Sequence, residues 1–230
     1  MSHVVPGLAI CPRCGHEQRT RWFDSLNGEI ITAQLERVVA GQFEAMHCSA
    51  CTTEFRPEHR MLFTHPGKGL WIVMFPRDER THFATLERGV ELVMGRELAS
   101  APPVVAASIQ RTRPRVVFGQ DMLGEAVCSA LAGLDAALLE CAKITAFRQN
   151  LQRFLSFGPI EICFDHIAAD GELVHRVVDL SSREARDTLR LPADAIARAR
   201  AEQAAFEQSF PDLFQQPYIS ACRYLYGATV

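Results

Sequence analysis

Two short stretches decide the fold: Cys11-Pro12-Arg13-Cys14-Gly15-His16-Glu17, and Cys48-Ser49-Ala50-Cys51-Thr52-Thr53. Each carries a Cys-x-x-Cys pair. A two-residue gap lets both thiolates of one turn converge on one ion, and a second such turn supplies the other two corners of a tetrahedron. In the first turn, Pro12 fixes φ after the leading cysteine, and Gly15 can take the left-handed conformation that a tight knuckle needs. Cys11, Cys14, Cys48 and Cys51 are therefore the expected ligands of one shared Zn2+ ion. A lone pair would suit thioredoxin-like redox chemistry, but that needs a βαβ context. Redox and iron–sulfur sites stand as the competing readings.

Thr52 occupies the place that Gly15 holds in the first turn. A β-branched residue resists positive φ, so the second turn is expected to be distorted or built differently. His16 and His47 adjoin the two turns and are alternative ligands, unneeded if four thiolates fill the sphere. A four-thiolate site is closed, whereas catalytic zinc keeps a position for water. The ion is expected to be a structural staple.

Working outward, Arg19–Asn27 reads as a strand, and Leu35, Val38 and Val39 lie at helical spacing ahead of Gly41. Gln42–Cys48 should return as a strand. Two β-prone runs flank Pro66-Gly67, with Gly67 expected at the positive-φ position of a hairpin turn. Phe83–Ala99 looks helical, with Leu86, Val90, Val93 and Met94 on one face. Residues 99–115, with a Pro pair and no acidic residue, suit a linker or a crossing strand. A short strand at Arg115–Gly119 then opens the second part. Asp121–Phe147 is helical with a break at Gly133-Leu134-Asp135, where Asp135 can cap the next helix. Ile160–Leu180 alternates around Asp170-Gly171, a hairpin signal. Leu191–Phe210 reads as one helix with Ile196, Ala199, Gln203, Phe206 and Phe210 on one stripe.

The fold class is α+β: a zinc-ribbon-like β lobe with an inserted helix (residues 1–98), the linker or crossing strand (99–115), and a helical lobe with a small antiparallel sheet (116–230). At 230 residues, 48% hydrophobic and 22% charged, the composition is that of a globular protein. A formal charge of −3 gives no electrostatic reason to expect nucleic acid or an anionic membrane. The start has no basic and apolar leader pattern and no run is long enough to span a bilayer, so a cytoplasmic protein without a membrane partner is expected. In a reducing compartment, paired cysteines mean metal more often than disulfide. Cys128, Cys141, Cys163 and Cys222 stand alone in apolar stretches and read as small buried hydrophobes.

Other constellations are weaker. His65-Pro66-Gly67-Lys68-Gly69 lacks phosphate-loop spacing. Asp165, His166, Asp170 and His175 cluster in the late hairpin, but alternation keeps them from converging. Arg111, Arg113 and Arg115 are a basic run without interleaved aromatics, read as a solvated edge. The Ile196–Phe210 stripe suits core packing, with Phe206, Phe210 and Phe214 as a candidate patch for a homo-oligomer.

The stretch from Cys11 through Phe55, with Met61–Pro76 after it, resembles the CpXC family of bacterial proteins, named for two Cys-Pro-x-Cys motifs. The likeness runs over about residues 8–148 and includes Arg115–Gly119 and Gly133-Leu134-Asp135. The chain departs from that pattern at Ser49, where Pro is usual, and at Thr52, where Gly is usual. The resemblance implies a zinc-bound fold and no enzyme. No catalytic constellation is visible. The expected function is a non-enzymatic scaffold or adaptor that binds a protein partner, with Trp22, Trp71 and the late aromatics as contacts. The alternative is a zinc-ribbon nucleic-acid binder in transcription or RNA handling.

Overall fold

The computed structural model describes residues 2–100, 112–182 and 184–226. Contacts divide the chain into two compact units, Met1–Gly124 and Glu125–Val230. No single helix among the described residues is long and apolar enough to cross a membrane.

The first unit is built on a mixed five-stranded sheet whose strands, in sheet order, are His3–Ile10, Glu17–Asn27, Met61–His65, Leu70–Phe75 and Arg113–Phe118. Strands β1 (His3–Ile10) and β2 (Glu17–Asn27) form a long antiparallel hairpin. Pro6 sits in β1 without cost to the ladder's interior, because β1 is the outermost strand. Gly7 is required for packing: a Cβ there would meet the Trp22 indole at 2.4 Å. Helix α1 (Thr32–Val39) follows and stops at Gly41, as expected. The expected return strand shrinks to β3 (Met46–His47), paired only with β4 (Glu54–Phe55). The hairpin of β5 (Met61–His65) and β6 (Leu70–Phe75) is present. Its turn differs from expectation. Pro66–Lys68 forms a 3-10 turn, and the positive φ of 63° falls on Gly69 rather than Gly67.

Helix α2 (Phe83–Ser100) buries Phe83, Glu87, Val90 and Met94, while Val93 is 50% exposed. Of the expected face, Val90 and Met94 are buried, while Phe83 and Glu87 take the places expected for Leu86 and Val93. Residues 101–111 of the expected linker lie outside the described residues. Strand β7 (Arg113–Phe118) pairs in parallel with β6. The strand expected to open the second lobe is thus the fifth strand of the first sheet, and the division between units falls later than 116, at 124–125. Its Val116, Val117 and Phe118 are buried with Leu26, Phe63, Ile72 and Met74. Helix α3 (Gly119–Leu131) follows directly. Near its start, Asp121 receives Arg56 at 2.9 Å and Arg77 at 2.7 Å. Burial alone would raise the Asp121 pKa, but the two guanidinium groups outweigh it and hold the carboxyl below its usual range.

In the second unit, α4 (Ala136–Gln149) and α5 (Leu151–Phe154) precede an antiparallel sheet of β8 (Ile160–Ile167), β9 (Leu173–Asp179) and β10 (Ala185–Leu191), ordered β10-β9-β8. The sequence reading missed β10, in which only Leu189 and Leu191 of seven residues are buried. The expected long helix is two, α6 (Ala195–Ala201) and α7 (Gln203–Ser209), broken at Glu202. Short helices α8 (Asp212–Gln215) and α9 (Arg223–Tyr226) follow. Leu138, Leu139, Phe164, Val177 and Leu189 share one core with Ala199, Phe206 and Leu213. Phe210 and Phe214 pack against that core, so the late aromatics face inwards.

Asp135 caps α4, its carboxylate accepting the Leu138 N–H at 3.0 Å. Replacing Asp135 with Ala should lower stability by about 1 kcal/mol, and Asp135→Ser should keep most of it. Urea unfolding followed by circular dichroism reads this, and an alanine variant with an unchanged midpoint would show that the cap contributes nothing.

Candidate metal centre

The first cysteine turn joins β1 to β2 and the second joins β3 to β4. They are equivalent bond for bond. Cys11 N donates to His16 O at 3.0 Å and Gly15 N to Cys11 O at 2.9 Å. Cys48 N donates to Thr53 O at 2.9 Å and Thr52 N to Cys48 O at 2.9 Å. Gly15 has φ 70° and Thr52 has φ 59°. The second turn is therefore not distorted: Thr52 adopts the left-handed conformation despite its branched side chain. Its hydroxyl donates to the Cys51 carbonyl at 2.7 Å, a local compensation for backbone strain.

Ser49 is also accounted for. Its N–H donates to Gln18 Oε1 at 2.9 Å, a bond that proline could not make, and its hydroxyl lies 3.0 Å from His16 Nε2. Gln18 further donates from Nε2 to the His47 carbonyl at 3.1 Å. One side chain of β2 thus pins the second turn to the first hairpin. Nothing in the residue type marked Gln18 beforehand; only the register of β2 places it there.

These contacts gather the four sulfurs. Cys11 Sγ lies 3.6 Å from Cys51 Sγ, and Cys14 Sγ lies 3.7 Å from Cys48 Sγ. All four lie within 4.8 Å of one another. A metal–sulfur bond of about 2.3 Å in a regular tetrahedron requires sulfurs about 3.8 Å apart, so the donor set fits a metal ion. All four cysteines are free thiols, and a disulfide would need an S–S length of about 2.05 Å. Cys11 and Cys48 are buried beside Ala9 and Phe55, with Trp22 and Met46 packed around them, while Cys14 is exposed.

The thiols are not alike electrostatically. The Thr53 hydroxyl and backbone N–H bring Cys51 down to about 6. At Cys14 the His16 backbone N–H pulls the same way, but neighbouring Cys51, burial, Cys11 and Cys48 prevail and push it up to about 12. The second and later thiolates of such a cluster need a cation beside them.

The other expected candidates lie elsewhere. His16 is engaged by Ser49, and His47 lies 3.9 Å from Glu54, so neither belongs to the cluster. Asp165, His166, Asp170 and His175 do not converge. His175 is fully buried in the second unit, Asp170 lies 3.6 Å from Arg190, and a bulge between Phe164 and His166 lets Asp165 contact His166 at 2.9 Å. Arg111 lies outside the described residues. Arg113 is exposed and Arg115 half-buried on β7. Among the described residues, the four cysteines are the one group placed to hold a metal.

Residues 10–143 match the family model described as CpXC protein. Comparison with curated proteins and with solved structures found no match.

The equivalence of the turns makes a paired prediction. Gly15→Ala, where an added Cβ meets nothing within 4 Å, should cost about 1 kcal/mol from positive φ alone. Thr52→Gly should shift stability the other way, by up to about 1 kcal/mol. Thermal unfolding of both metal-loaded variants reads the signs, and shifts of the same sign would refute the equivalence.

Proposed function

This chain belongs to the CpXC family, and we propose that within it the protein is a non-enzymatic scaffold whose first unit is stapled by one structural zinc ion and presents a surface to a protein partner. The observation that carries this reading is the closed donor set. Cys11, Cys14, Cys48 and Cys51 would hold the ion, and four thiolates leave it no position for water or substrate. Soft thiolate ligands in tetrahedral array favour zinc over harder divalent ions. The ion's contribution would be to hold two turns together, not to activate a nucleophile.

The partner surface is best placed on β1. As the outermost strand it has one backbone edge without a neighbouring strand among the described residues. Leu8 and Ile10 alternate on it at 50% and 60% exposure, next to the cysteine cluster. Trp22, an expected contact, is instead stacked on His59 at 4.6 Å and half-buried. The nucleic-acid reading requires a basic surface that a formal charge of −3 does not advertise.

Metal analysis of the purified protein should find one zinc per chain, and Cys14→Ser should lower occupancy and thermal stability together. Cobalt substitution should give the absorption of a tetrahedral thiolate site. A protein that carries no stoichiometric metal, or that keeps its stability after chelation, would end the structural-zinc reading. For the surface, a Leu8→Asp, Ile10→Asp double variant should keep its zinc and its unfolding midpoint but lose the partners that the wild-type protein retains. Unchanged partner retention would move the interface away from β1.

A further inference from the structure

The second unit contains a concavity that the scaffold role does not use. A cavity of about 360 Å³ opens between α4, β8 and the Ser220–Cys222 turn. That volume lies within the range of small-molecule sites. Two of its walls are apolar and stand on regular elements: Ile144 and Phe147 from α4, and Ile160 and Ile162 from β8. Leu151, at the start of α5, extends the first wall, and Ala221 lies on the turn side with only a methyl group. Phe147 and Leu151 are 37% and 44% exposed, large apolar groups left in water beside a concavity.

What such a cavity accepts depends on the state of its polar lining. Glu140, Lys143, Glu161 and Ser220 are part of that lining, and all are buried. Lys143 Nζ lies 2.8 Å from Glu125 Oε1 and also pairs with Glu140 Oε1. The other oxygen of Glu140 accepts the Ala221 N–H at 2.8 Å. The Ser220 hydroxyl accepts the Cys222 N–H at 3.2 Å, and Glu161 is engaged as well. Next in the chain, buried Arg223 donates to the Tyr218 carbonyl at 2.7 Å and lies 3.5 Å from the Asp212 carboxylate. Arg148, also in the lining, is exposed, and its guanidinium lies 5.7 Å from the centre of the Phe210 ring. The buried charges around the cavity are thus bonded within the protein. An ionic head group would give up its water and meet charges that already have partners. An uncharged apolar group gives up only unfavourable contact with water.

We propose that this cavity binds a compact uncharged aromatic or hydrocarbon molecule, held by apolar contact with Ile144, Phe147, Leu151, Ile160 and Ile162 and by no ion pair. The site lies wholly within the second unit, so its fate is separable from that of the thiol cluster.

Calorimetric titration of the full-length, metal-loaded chain with ethylbenzene, phenethylammonium and phenylacetate tests it, since the three probes share a body and differ in charge. Ethylbenzene should bind at least about tenfold tighter than either ion. Ala221→Phe should fill the cavity and remove ethylbenzene binding. Leu151→Asp, at an exposed position, should put a charge at the mouth and lower ethylbenzene affinity about tenfold. Should Ala221→Phe fail to fold, the charge series and Leu151→Asp decide alone. The proposal is overturned if ethylbenzene does not bind up to its solubility, if either ion binds as tightly, or if the folded variants bind ethylbenzene as the wild type does. Self-association of the chain that Leu151→Asp abolishes, without ethylbenzene binding, would assign this surface to a second copy and overturn it equally.

Discussion

The second cysteine turn hangs on a hairpin of two residue pairs, Met46 with Phe55 and His47 with Glu54. A two-stranded ribbon of that length is not stable in water by itself. The loop that carries it is also strained: Glu44 at φ 50° and Thr52 at φ 59° are the two non-glycine residues with positive φ among those described. Each costs on the order of 1 kcal/mol or more. Such a segment persists only if its surroundings over-determine it. Part of that hold is visible in side chains. Glu44 accepts the Phe23 N–H at 2.7 Å through one oxygen and meets His59 at 2.6 Å through the other, and His59 stacks on Trp22. Gln18 fastens the far end. The remainder falls to the four sulfurs, and the apolar cluster around them is small, with Ala9, Cys11, Cys48 and Phe55 as its buried members. A core of that size contributes little burial energy, so a cross-link through metal is the natural complement.

How much of this was legible beforehand follows from the range of each interaction. The cysteine pairs, the helix after β2, the Asp135 cap and the Asp170-Gly171 hairpin are local patterns, each set by neighbours within a few residues. They could be read directly. Thr52 could not, because propensity disfavours φ > 0 for threonine and only the surrounding turn overrides it. Strand β7 was read as the opening of the second part for a related reason: its six residues carry no mark of their partner, and its parallel pairing to β6 is a long-range event. The break at Glu202 lies inside a stripe whose spacing looks continuous. Its anchors Ala199 and Phe206 still reach one core from two helices. Glu87, buried on α2, was passed over because a charged residue within an amphipathic pattern is ordinarily placed outside.

The four cysteines that stand alone behave as small hydrophobes, with one qualification. Cys141, Cys163 and Cys222 are buried, and Cys128 is half-buried. Burial pushes Cys141 up to about 12 and Cys128 up to about 11, which removes thiolate character at neutral pH. The chain thus separates its cysteines by environment. Four sit together in two turns, and four stand apart in apolar surroundings, where burial keeps the proton on the sulfurs of Cys128 and Cys141.

Helix α4 poses the opposite problem, since it is buried along most of its length and still carries Glu140 and Lys143 inside. Replacing such charges by apolar residues often stabilises a protein, so ion pairing by itself does not explain their presence. Their hydrogen bonds reach beyond the helix. Glu125 accepts the Phe164 N–H of β8 at 2.8 Å, and Glu140 accepts that of Ala221. The same Lys143 therefore orients two carboxylates that each tie down a separate backbone segment. Both segments border the cavity, through β8 on one side and the Ser220–Cys222 turn on the other. One buried ammonium thus holds two carboxylates, and through them β8 and the Ser220–Cys222 turn are each tied to a helix by a directional bond. Apolar packing selected on stability alone would supply no such directional bonds, so the buried charges of α4 are accounted for by the two backbone segments they position.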